Sequence, residues 1–240
     1  MWEVKRLRLA RAIVFDLDNT LVSSHIDYAR LKLTVLEELA EAGVPDRLLD
    51  EKDSVVENFI RGKDYLQRNS SASQLMEFNS RLDKTLMQIE MERVDQVREI
   101  EGAFSLVNSL REKGFEVGIL TRGSRGYATT VLGRTGFNGQ IVHLVCRDDY
   151  PMEEAKPNPL AMDRIAEKLH CRPEDCLFIG DHPMDLECAK ASGASFIGVL
   201  TGSTDRGKWA QTGCELVIDS IADLPRLLNG QALQIFRAIN

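Results

Sequence analysis

A short apolar run followed by polar turn formers lies near the start of the chain. Residues 13–15 are Ile-Val-Phe, and the sequence Asp-Leu-Asp-Asn-Thr follows at positions 16–20. Strands that are buried on both faces of a parallel sheet show this uninterrupted apolar pattern, bounded by turn residues. The pattern therefore predicts a central strand that delivers Asp16 and Asp18 into a turn.

Residues 24–98 instead carry apolar side chains at spacings of three and four, which is the period of an amphipathic helix. A first helix is expected to stop at positions 43–45, which are Gly-Val-Pro. A second is expected over 48–60, broken at Gly62, and a third is expected to begin at Ser73 as its N-cap. The segment thus predicts a small module made of three helices.

Beyond residue 100 the pattern alternates between helix and strand. Helices are expected at 103–113, 124–134, 158–169, 184–192 and 221–228, and strands at 117–120, 140–145, 176–179, 195–199 and 216–218. Strands separated by single helices imply right-handed crossovers and a parallel sheet with helices on both faces. The predicted fold class is therefore α/β, with the helical module inserted after the first strand.

The composition restricts the class of protein. The 240 residues carry 30 Lys plus Arg and 37 Asp plus Glu, a formal net charge of −7, and 43% are hydrophobic. These ordinary globular values exclude a disordered, collagen-like or coiled-coil chain. The acidic balance argues against a nucleic-acid partner but allows a local patch that binds a small anion. No apolar run reaches 18 residues and the five cysteines show no paired spacing, so we expect a cytoplasmic protein with no membrane partner.

Two predicted strand ends carry pairs of acidic residues. In the first turn, one of Asp16 and Asp18 could attack as a nucleophile while the other donates and accepts protons. Asp181 and Asp185 lie in the sequence Gly-Asp-His-Pro-Met-Asp at 180–185, and a carboxylate pair at a strand end suits Mg²⁺. The structural alternatives are an Asx turn at the first site and helix N-capping by Asp181 at the second.

Two further strand ends or loops carry hydroxyl and basic groups. Thr121 and Ser124 follow the strand at 117–120, where a hydroxyl and backbone N–H groups can cradle an anion or simply cap a helix. Lys156 precedes two prolines that fix the local backbone, and its ammonium could neutralise a phosphate or remain a solvated charge. Because ligands of parallel sheets bind at the carboxyl ends of the strands, all four segments would meet at one site.

As a set, these segments resemble the motifs of the haloacid dehalogenase superfamily, and its phosphatase branch more than its dehalogenase branch. The matching segments are Asp-x-Asp-x-Thr within 13–20, the Thr-ended run 118–121, Lys-Pro-x-Pro at 156–159, and the apolar run with Gly-Asp-x-x-x-Asp at 177–185. The resemblance implies a Rossmann-like catalytic core formed by 1–22 and 99–240, with a helical cap domain over 23–98. This layout is similar to that of phosphoglycolate phosphatase-like enzymes.

The resemblance also implies a role for each site residue. It makes Asp16 the nucleophile and Asp18 the general acid/base, and it assigns Mg²⁺ to Asp181 and Asp185 together with the Asp16 carboxylate and the Asp18 carbonyl. The implied phosphate contacts are Asn19, Thr121, Arg122 and Lys156. Many relatives have Asn where this chain has Arg122, which could supply a cation, offer only its backbone N–H, or face solvent.

The function expected from the sequence is Mg²⁺-dependent hydrolysis of a small phosphorylated metabolite, phosphoglycolate-like or a sugar phosphate, through an aspartyl-phosphate. A sugar phosphomutase of the same superfamily is the alternative. A 2-haloacid dehalogenase is disfavoured because it would lack the acid at Asp18, and a non-catalytic binding protein because every reactive position is filled. The sequence leaves open whether the protein is a monomer or a homodimer.

Overall fold

The computed structural model describes residues 10–141 and 143–227 and confirms the α/β fold class. Its main sheet has six parallel strands in the order β5-β4-β1-β6-β7-β8. The strands of this sheet are β1 (Ala12–Phe15), β4 (Glu116–Leu120), β5 (His143–Val145), β6 (Cys176–Gly180), β7 (Ser195–Val199) and β8 (Val217–Ile218). A separate antiparallel ribbon pairs β2 (Val22–Ser23) with β3 (Arg98–Glu99).

The described residues form nine α-helices. They are α1 (Tyr28–Glu41), α2 (Val55–Asn69), α3 (Ala72–Met91), α4 (Ala103–Glu112), α5 (Arg125–Arg134), α6 (Pro159–Lys168), α7 (Pro183–Ser192), α8 (Arg206–Thr212) and α9 (Leu224–Arg226). Short 3₁₀ turns occur at Asp46–Leu48, Val94–Gln96, Arg147–Asp149, Met152–Glu154, Pro173–Asp175 and Ile221–Asp223. Over the described parts of the chain, none of these helices combines the length and apolar character needed to cross a bilayer.

Two compact units make up the chain. Of the described residues, one unit contains 10–24, 97–141, 143–150 and 154–227, and the other contains 25–96 together with the three-residue segment 151–153. The sequence pattern predicts a helical insertion over 23–98. The helical unit begins two residues later and ends two residues earlier than that prediction. The inclusion of 151–153 in the helical unit has no counterpart in the sequence pattern.

The register of the central strands brings their carboxyl ends to one edge. Phe15 of β1 pairs with Ile119 of β4 and with Ile179 of β6. The Asp16 N–H donates to the Ile179 carbonyl at 2.8 Å, so the first turn starts directly from the sheet. The residues that follow these three strands therefore share one edge, which is where ligands of such sheets bind.

The sheet is held by apolar packing on its faces. One cluster of buried side chains joins the central strands to helices α6 and α7, with Val14, Phe178, Ile165 and Trp209 among its members. Gly198 of β7 has its Cα against the Trp209 ring, since a Cβ there would lie 3.0 Å from Cε2. Fully burying a large apolar side chain stabilises a fold by about 1.5–3 kcal/mol, so this cluster fixes the strand ends firmly.

The helical unit has its own core, in which Val35, Leu39, Phe59 and Leu82 are buried. The expected break at Gly62 is wrong, because helix α2 continues through that position to Asn69. A Cβ on Gly62 would lie 2.5 Å from Leu39 Cδ2. The glycine therefore allows close packing of α2 on α1 and does not end the helix.

The N-cap of helix α3 also differs from expectation. Ser71, and not Ser73, begins the helix, with its hydroxyl accepting from the Gln74 N–H while the Gln74 side chain accepts from the Ser71 backbone N–H. This reciprocal capping box satisfies two backbone donors, which Ser73 with Met76 three residues on could not do.

The remaining differences concern short elements. The ribbon β2–β3 and helix α8 were not expected, and the predicted helix 221–228 begins as a 3₁₀ turn and continues as α9 to Arg226. Position 228 of that prediction, and position 142 of the predicted strand 140–145, lie outside the described residues. The other predicted helices and strands of the core lie within three residues of the observed ones.

Candidate active site

The first turn buries two carboxylates at the end of β1. Asp16 and Asp18 are 6% and 8% exposed. The Leu17 carbonyl accepts from the N–H groups of Leu21 at 3.0 Å and Val22 at 3.1 Å, which folds the chain back immediately after the strand. The turn therefore presents two acidic side chains, one residue apart, in a largely desolvated place.

Asn19 supplies the backbone geometry of this turn. It has a φ of +58°, in the left-handed region that Asn tolerates better than most residues. Its Oδ1 accepts from the Ser24 N–H at 3.0 Å, and its carbonyl accepts from the Thr201 hydroxyl at 2.5 Å. These contacts tie the Asn19 side chain and backbone to the protein itself, and the structure shows the residue shaping the turn.

Lys156 joins the first turn to the acidic pair after β6. Its Nζ donates to Asp16 Oδ1 at 2.5 Å and to Asp185 Oδ1 at 2.6 Å, and the side chain is 3% exposed. Burial alone lowers the pKa of Lys156, but the two carboxylates outweigh it and the net shift is upward. The lysine is therefore a fixed ammonium held between the two carboxylates.

The third acidic residue of the cluster is Asp181. A single ion could contact Asp16, Asp181 and Asp185, because one carboxylate oxygen from each lies within 4.8 Å of the others. Two glycines make room for these side chains. A Cβ on Gly180 would lie 2.4 Å from Asp185 Oδ2, and one on Gly202 would lie 1.8 Å from Asp181 Oδ2.

The acidic pair is oriented by the start of helix α7. The helix N-cap is His182, whose Nδ1 accepts from the Met184 N–H at 3.2 Å, so Asp181 does not act as the cap. Asp185 Oδ2 accepts from the His182 N–H at 3.2 Å, which leaves Oδ1 to the lysine. The histidine therefore has a structural role that frees Asp181 for the site.

The crowding of carboxylates in a buried place changes their protonation. Burial raises the pKa of Asp16 well above its ordinary value, the Lys156 ammonium opposes this rise, and Asp185 and Asp181 add to it. Burial, followed by the negative charge of Asp185, raises the pKa of Asp181 to about 7. Each shift has the sign expected when ionised acids lose water and face one another.

The loop after β4 begins with a buried hydroxyl. Thr121 Oγ1 accepts from the Gly123 N–H at 2.9 Å, and the Ser124 hydroxyl caps helix α5 by accepting from the Tyr127 N–H at 3.3 Å. Thr121 and Lys156 line the same small cavity.

Arg122 lies within reach of the Lys156 backbone. Its Nη1 donates to the Lys156 carbonyl at 2.5 Å, and its own carbonyl accepts from the Nε of Arg147 at 3.1 Å. The side chain is half-buried, and Arg147 is 3% exposed. The structure therefore brings Arg122 to the loop of Lys156 and excludes a purely solvent-facing side chain.

Sequence reasoning missed three residues that contact this cluster. Tyr127 donates from its hydroxyl to Asp18 Oδ1, Gly202 lies against Asp181, and Thr201 bonds to Asn19. Thr201 and Gly202 follow strand β7, so the rule that ligands bind at strand ends could have drawn attention to them. For Tyr127 the sequence carries no comparable signal.

The donor set fits a small hard divalent cation. Three buried carboxylates converge, and the Lys156 ammonium contacts two of them, Asp16 and Asp185. Carboxylate oxygens are the ligands that Mg²⁺ prefers, and positive charge would offset the mutual repulsion that raises the pKa of Asp16 and Asp181. Chemically, the arrangement places carboxylates that could attack or carry protons next to the fixed ammonium of Lys156.

Comparison with known proteins gives consistent results. Residues 13–199 match the family model of the haloacid dehalogenase-like hydrolases. The pyrophosphatase PpaX of Anoxybacillus flavithermus is 26% identical over 199 residues, covering 75% of this chain and 92% of that protein. A phosphoglycolate phosphatase of Vibrio vulnificus is 27% identical over 223 residues, covering 89% and 94%. A solved hydrolase structure from Pseudomonas syringae shares the fold, with a TM-score of 0.64 and 24% identity over 91% of this chain and 97% of that one.

Proposed function

Because this chain belongs to the haloacid dehalogenase-like hydrolase family, we propose that it is a Mg²⁺-dependent phosphatase that hydrolyses small phosphate monoesters. The observation that carries the proposal is the contact of Lys156 with Asp16, in which an ammonium lies 2.5 Å from the carboxylate that would attack. Two anions approach each other slowly unless positive charge stands between them. The fixed ammonium supplies part of that charge.

In the first proposed step, Asp16 attacks the phosphorus atom. The new bond from a carboxylate oxygen of Asp16 to phosphorus forms as the bond from phosphorus to the ester oxygen breaks. Asp18 gives its proton to the departing ester oxygen, which leaves as an alcohol. The product of this step is an aspartyl-phosphate on Asp16, with Asp18 ionised.

In the second step, water attacks the phosphorus atom of the aspartyl-phosphate. Asp18 takes a proton from that water, and the bond from phosphorus to Asp16 breaks. Inorganic phosphate is released and both aspartates return to their starting protonation states. Asp18 thus acts first as a general acid and then as a general base, so a single residue carries the proton in both steps.

We assign the phosphate contacts to Lys156, Thr121 and Arg122, and a supporting role to Asn19. Thr121 and Lys156 line one cavity, and the Arg122 side chain donates to the Lys156 carbonyl. The metal would be held by the side chains of Asp16, Asp181 and Asp185, with the Asp18 carbonyl added by family resemblance. When bound, Mg²⁺ would neutralise charge on the phosphate and on its carboxylate ligands.

The relatives suggest which substrates to try first. One is called a pyrophosphatase and another a phosphoglycolate phosphatase, so phosphoanhydrides and small phosphocarboxylates are the first candidates. We propose that the helical unit, residues 25–96 with 151–153, acts as the cap that selects among them. We further propose that the protein acts in the cytoplasm, in keeping with its five cysteines, which form no disulfide in the described part of the chain.

A hydrolysis screen tests the proposal. Purified protein with Mg²⁺ is given pyrophosphate, phosphoglycolate, sugar phosphates and p-nitrophenyl phosphate, and inorganic phosphate is measured. Asp16→Asn serves as the inactive control and Asp163→Asn, an exposed aspartate on α6, as the matched active control. The proposal is supported if the wild type and Asp163→Asn release phosphate and Asp16→Asn does not. Isomerised sugar phosphate without phosphate release would identify the mutase instead, and no turnover of any ester would refute both.

A further inference from the structure

The side chain of Tyr127 reaches one of the two carboxylates of the first turn. Its hydroxyl donates to Asp18 Oδ1 at 2.6 Å, and the residue, which lies in helix α5, is fully buried. This distance is typical of a well-formed hydrogen bond from a hydroxyl to a carboxyl oxygen. Residues 18 and 127 are 109 positions apart, so the fold as a whole creates this contact.

The loop after β4 fixes the position of the Tyr127 ring. The Tyr127 N–H donates to the Ser124 hydroxyl at 3.3 Å, which sets the first turn of α5. A Cβ on Gly123 would lie 2.9 Å from Tyr127 Cδ1, so the absence of a side chain there lets the ring pack against the loop backbone. The loop that carries Thr121 therefore also determines where the Tyr127 hydroxyl points.

We propose that Tyr127 is a positioning residue that holds Asp18 for proton transfer, an inference that rests on the proposed function. With Oδ1 occupied by the Tyr127 hydroxyl, Oδ2 is the oxygen that carries the transferable proton. That proton passes to the ester oxygen as the bond from phosphorus to the ester oxygen breaks, and a proton from the attacking water returns to Oδ2. Restricting the rotation of the Asp18 carboxyl group lowers the entropic cost of both transfers.

This role makes a specific prediction about leaving groups. An alkyl alkoxide is a poor leaving group and needs the proton from Asp18, whereas p-nitrophenolate is stable as an anion and needs none. Loss of the Tyr127 hydroxyl should therefore slow transfer from an alkyl phosphate to Asp16 and leave transfer from p-nitrophenyl phosphate almost unchanged. A role in folding alone would affect both esters equally.

The test is Tyr127→Phe in the full-length protein with Mg²⁺, measured in single turnovers with enzyme in excess. Release of alcohol from the best alkyl phosphate should slow about tenfold or more, because a hydrogen bond that orients the general acid is lost. Release of p-nitrophenolate should stay within about twofold of wild type, and the steady-state KM for the alkyl ester should change less than kcat. Equal slowing of both esters, or no slowing of either, would overturn the proposal.

Two further variants serve as controls. Thr129→Val removes an exposed hydroxyl of the same helix, one that donates to the Arg125 carbonyl, and should leave both rates unchanged. In an Asp18→Asn background, Tyr127→Phe should have no additional effect on the alkyl ester, since the two residues act as one unit. Additive losses in that double variant would mean that Tyr127 acts independently of Asp18, against the proposal.

A spectroscopic measurement remains decisive even if Tyr127→Phe does not fold. The chain has four tyrosines, so protein labelled with ¹³C at tyrosine Cζ gives four signals. The Tyr28→Phe, Tyr65→Phe and Tyr150→Phe variants identify three of them, and the fourth belongs to Tyr127. Asp18→Asn should shift that fourth signal, and an unmoved signal would refute the bond. Wild-type protein that hydrolyses no ester would instead refute the proposed function, whatever the signal shows.

Discussion

The Nζ atom of Lys156 lies 2.5 Å from Oδ1 of Asp16, and both side chains are buried. The same Nζ lies 2.6 Å from Asp185 Oδ1. Removing one partner of a buried ion pair leaves an uncompensated charge, which costs about 3–5 kcal/mol. Lys156 should therefore stabilise the fold as well as serve the reaction.

Lys156→Met should lower the free energy of unfolding by about 3 kcal/mol at pH 8 and abolish hydrolysis, because two buried carboxylates lose their ammonium. Urea denaturation followed by circular dichroism measures the first effect. Lys63→Met is the matched control, since Lys63 is also buried but contacts Asn79 at 3.0 Å and the Glu153 carboxylate at 3.4 Å. The interpretation fails if the two variants are destabilised equally.

Asp16→Asn should abolish turnover and should destabilise the protein far less than Lys156→Met does, because Lys156 keeps its contact with Asp185. The amide cannot attack phosphorus, so kcat should fall by at least about 10³-fold. Burial raises the pKa of Asp16, which means that the fold disfavours its ionised form, and a neutral side chain removes that unfavourable interaction. Thermal denaturation in chelator measures the stability, and a variant destabilised as much as Lys156→Met would contradict the assigned cause.

Stability should fall as the pH rises towards neutrality. Burial and Asp185 raise the pKa of Asp181 to about 7, from an ordinary value of 3.8, so the folded state holds this proton more tightly than the unfolded state. The contribution of Asp181 to the free energy of unfolding is therefore largest below its ordinary pKa. It falls by up to about 1.4 kcal/mol per pH unit between about pH 4 and pH 7. Asp16 shifts in the same direction.

Urea denaturation in chelator at several pH values tests this dependence. Asp181→Asn should show a shallower decline in unfolding free energy than wild type over the same range. Saturating Mg²⁺ should reduce or reverse the decline, because a metal stabilises the ionised carboxylates. Parallel curves for wild type and variant would show that Asp181 titrates normally.

Gly202→Ala should weaken Mg²⁺ binding about tenfold, because the new methyl group would overlap the Asp181 carboxylate and displace it. Isothermal titration with Mg²⁺ reports this directly and does not depend on activity. Gly133→Ala is the control, since a Cβ there meets no atom within 4 Å. Unchanged Mg²⁺ affinity in Gly202→Ala would contradict this prediction, because it would mean that the loop after β7 moves to accommodate the methyl group and leaves Asp181 in place.

The helical unit should determine substrate choice. Replacing residues 25–96 with a short Gly/Ser linker should leave weak activity on p-nitrophenyl phosphate and remove the ranking among natural esters. The core residues to which we assign phosphate binding would contact the phosphoryl group and not the rest of the ester. Circular dichroism must first show a folded product. A folded, soluble truncation that ranks esters as the full-length protein does would refute this role.

The periodicity of the chain was sufficient to predict the sheet and most of its helices. The apolar runs at β1, β6 and β7 are each buried along their whole length, and such runs leave a clear pattern. The two-residue strands β2 and β3 left none, because their pairing joins positions 75 residues apart. Helix α8 spans seven residues with one buried side chain, Trp209, so it also lacks a period.

The acidic and basic members of the site could be predicted because strand ends meet at one edge of a parallel sheet. Contacts that depend on side-chain direction could not. In a sequence, a glycine such as Gly62 suggests the end of a helix. In the structure Leu39 from another helix packs against Gly62, and the helix continues. In the sequence, Tyr127 cannot be distinguished from an ordinary core residue. Its hydrogen bond to Asp18 depends on how helix α5 packs next to the first turn.

The segment 151–153 makes the helical unit harder to exchange than a simple insertion. Met152 packs against the core of that unit, and Glu153 pairs with Lys63, although both residues lie between β5 and Lys156 in the sequence. A chimera that imports the helices of a relative at positions 25–96 would leave these two side chains without their native partners. Recombination of such units, in the laboratory or in evolution, therefore requires a second, three-residue graft close to Lys156.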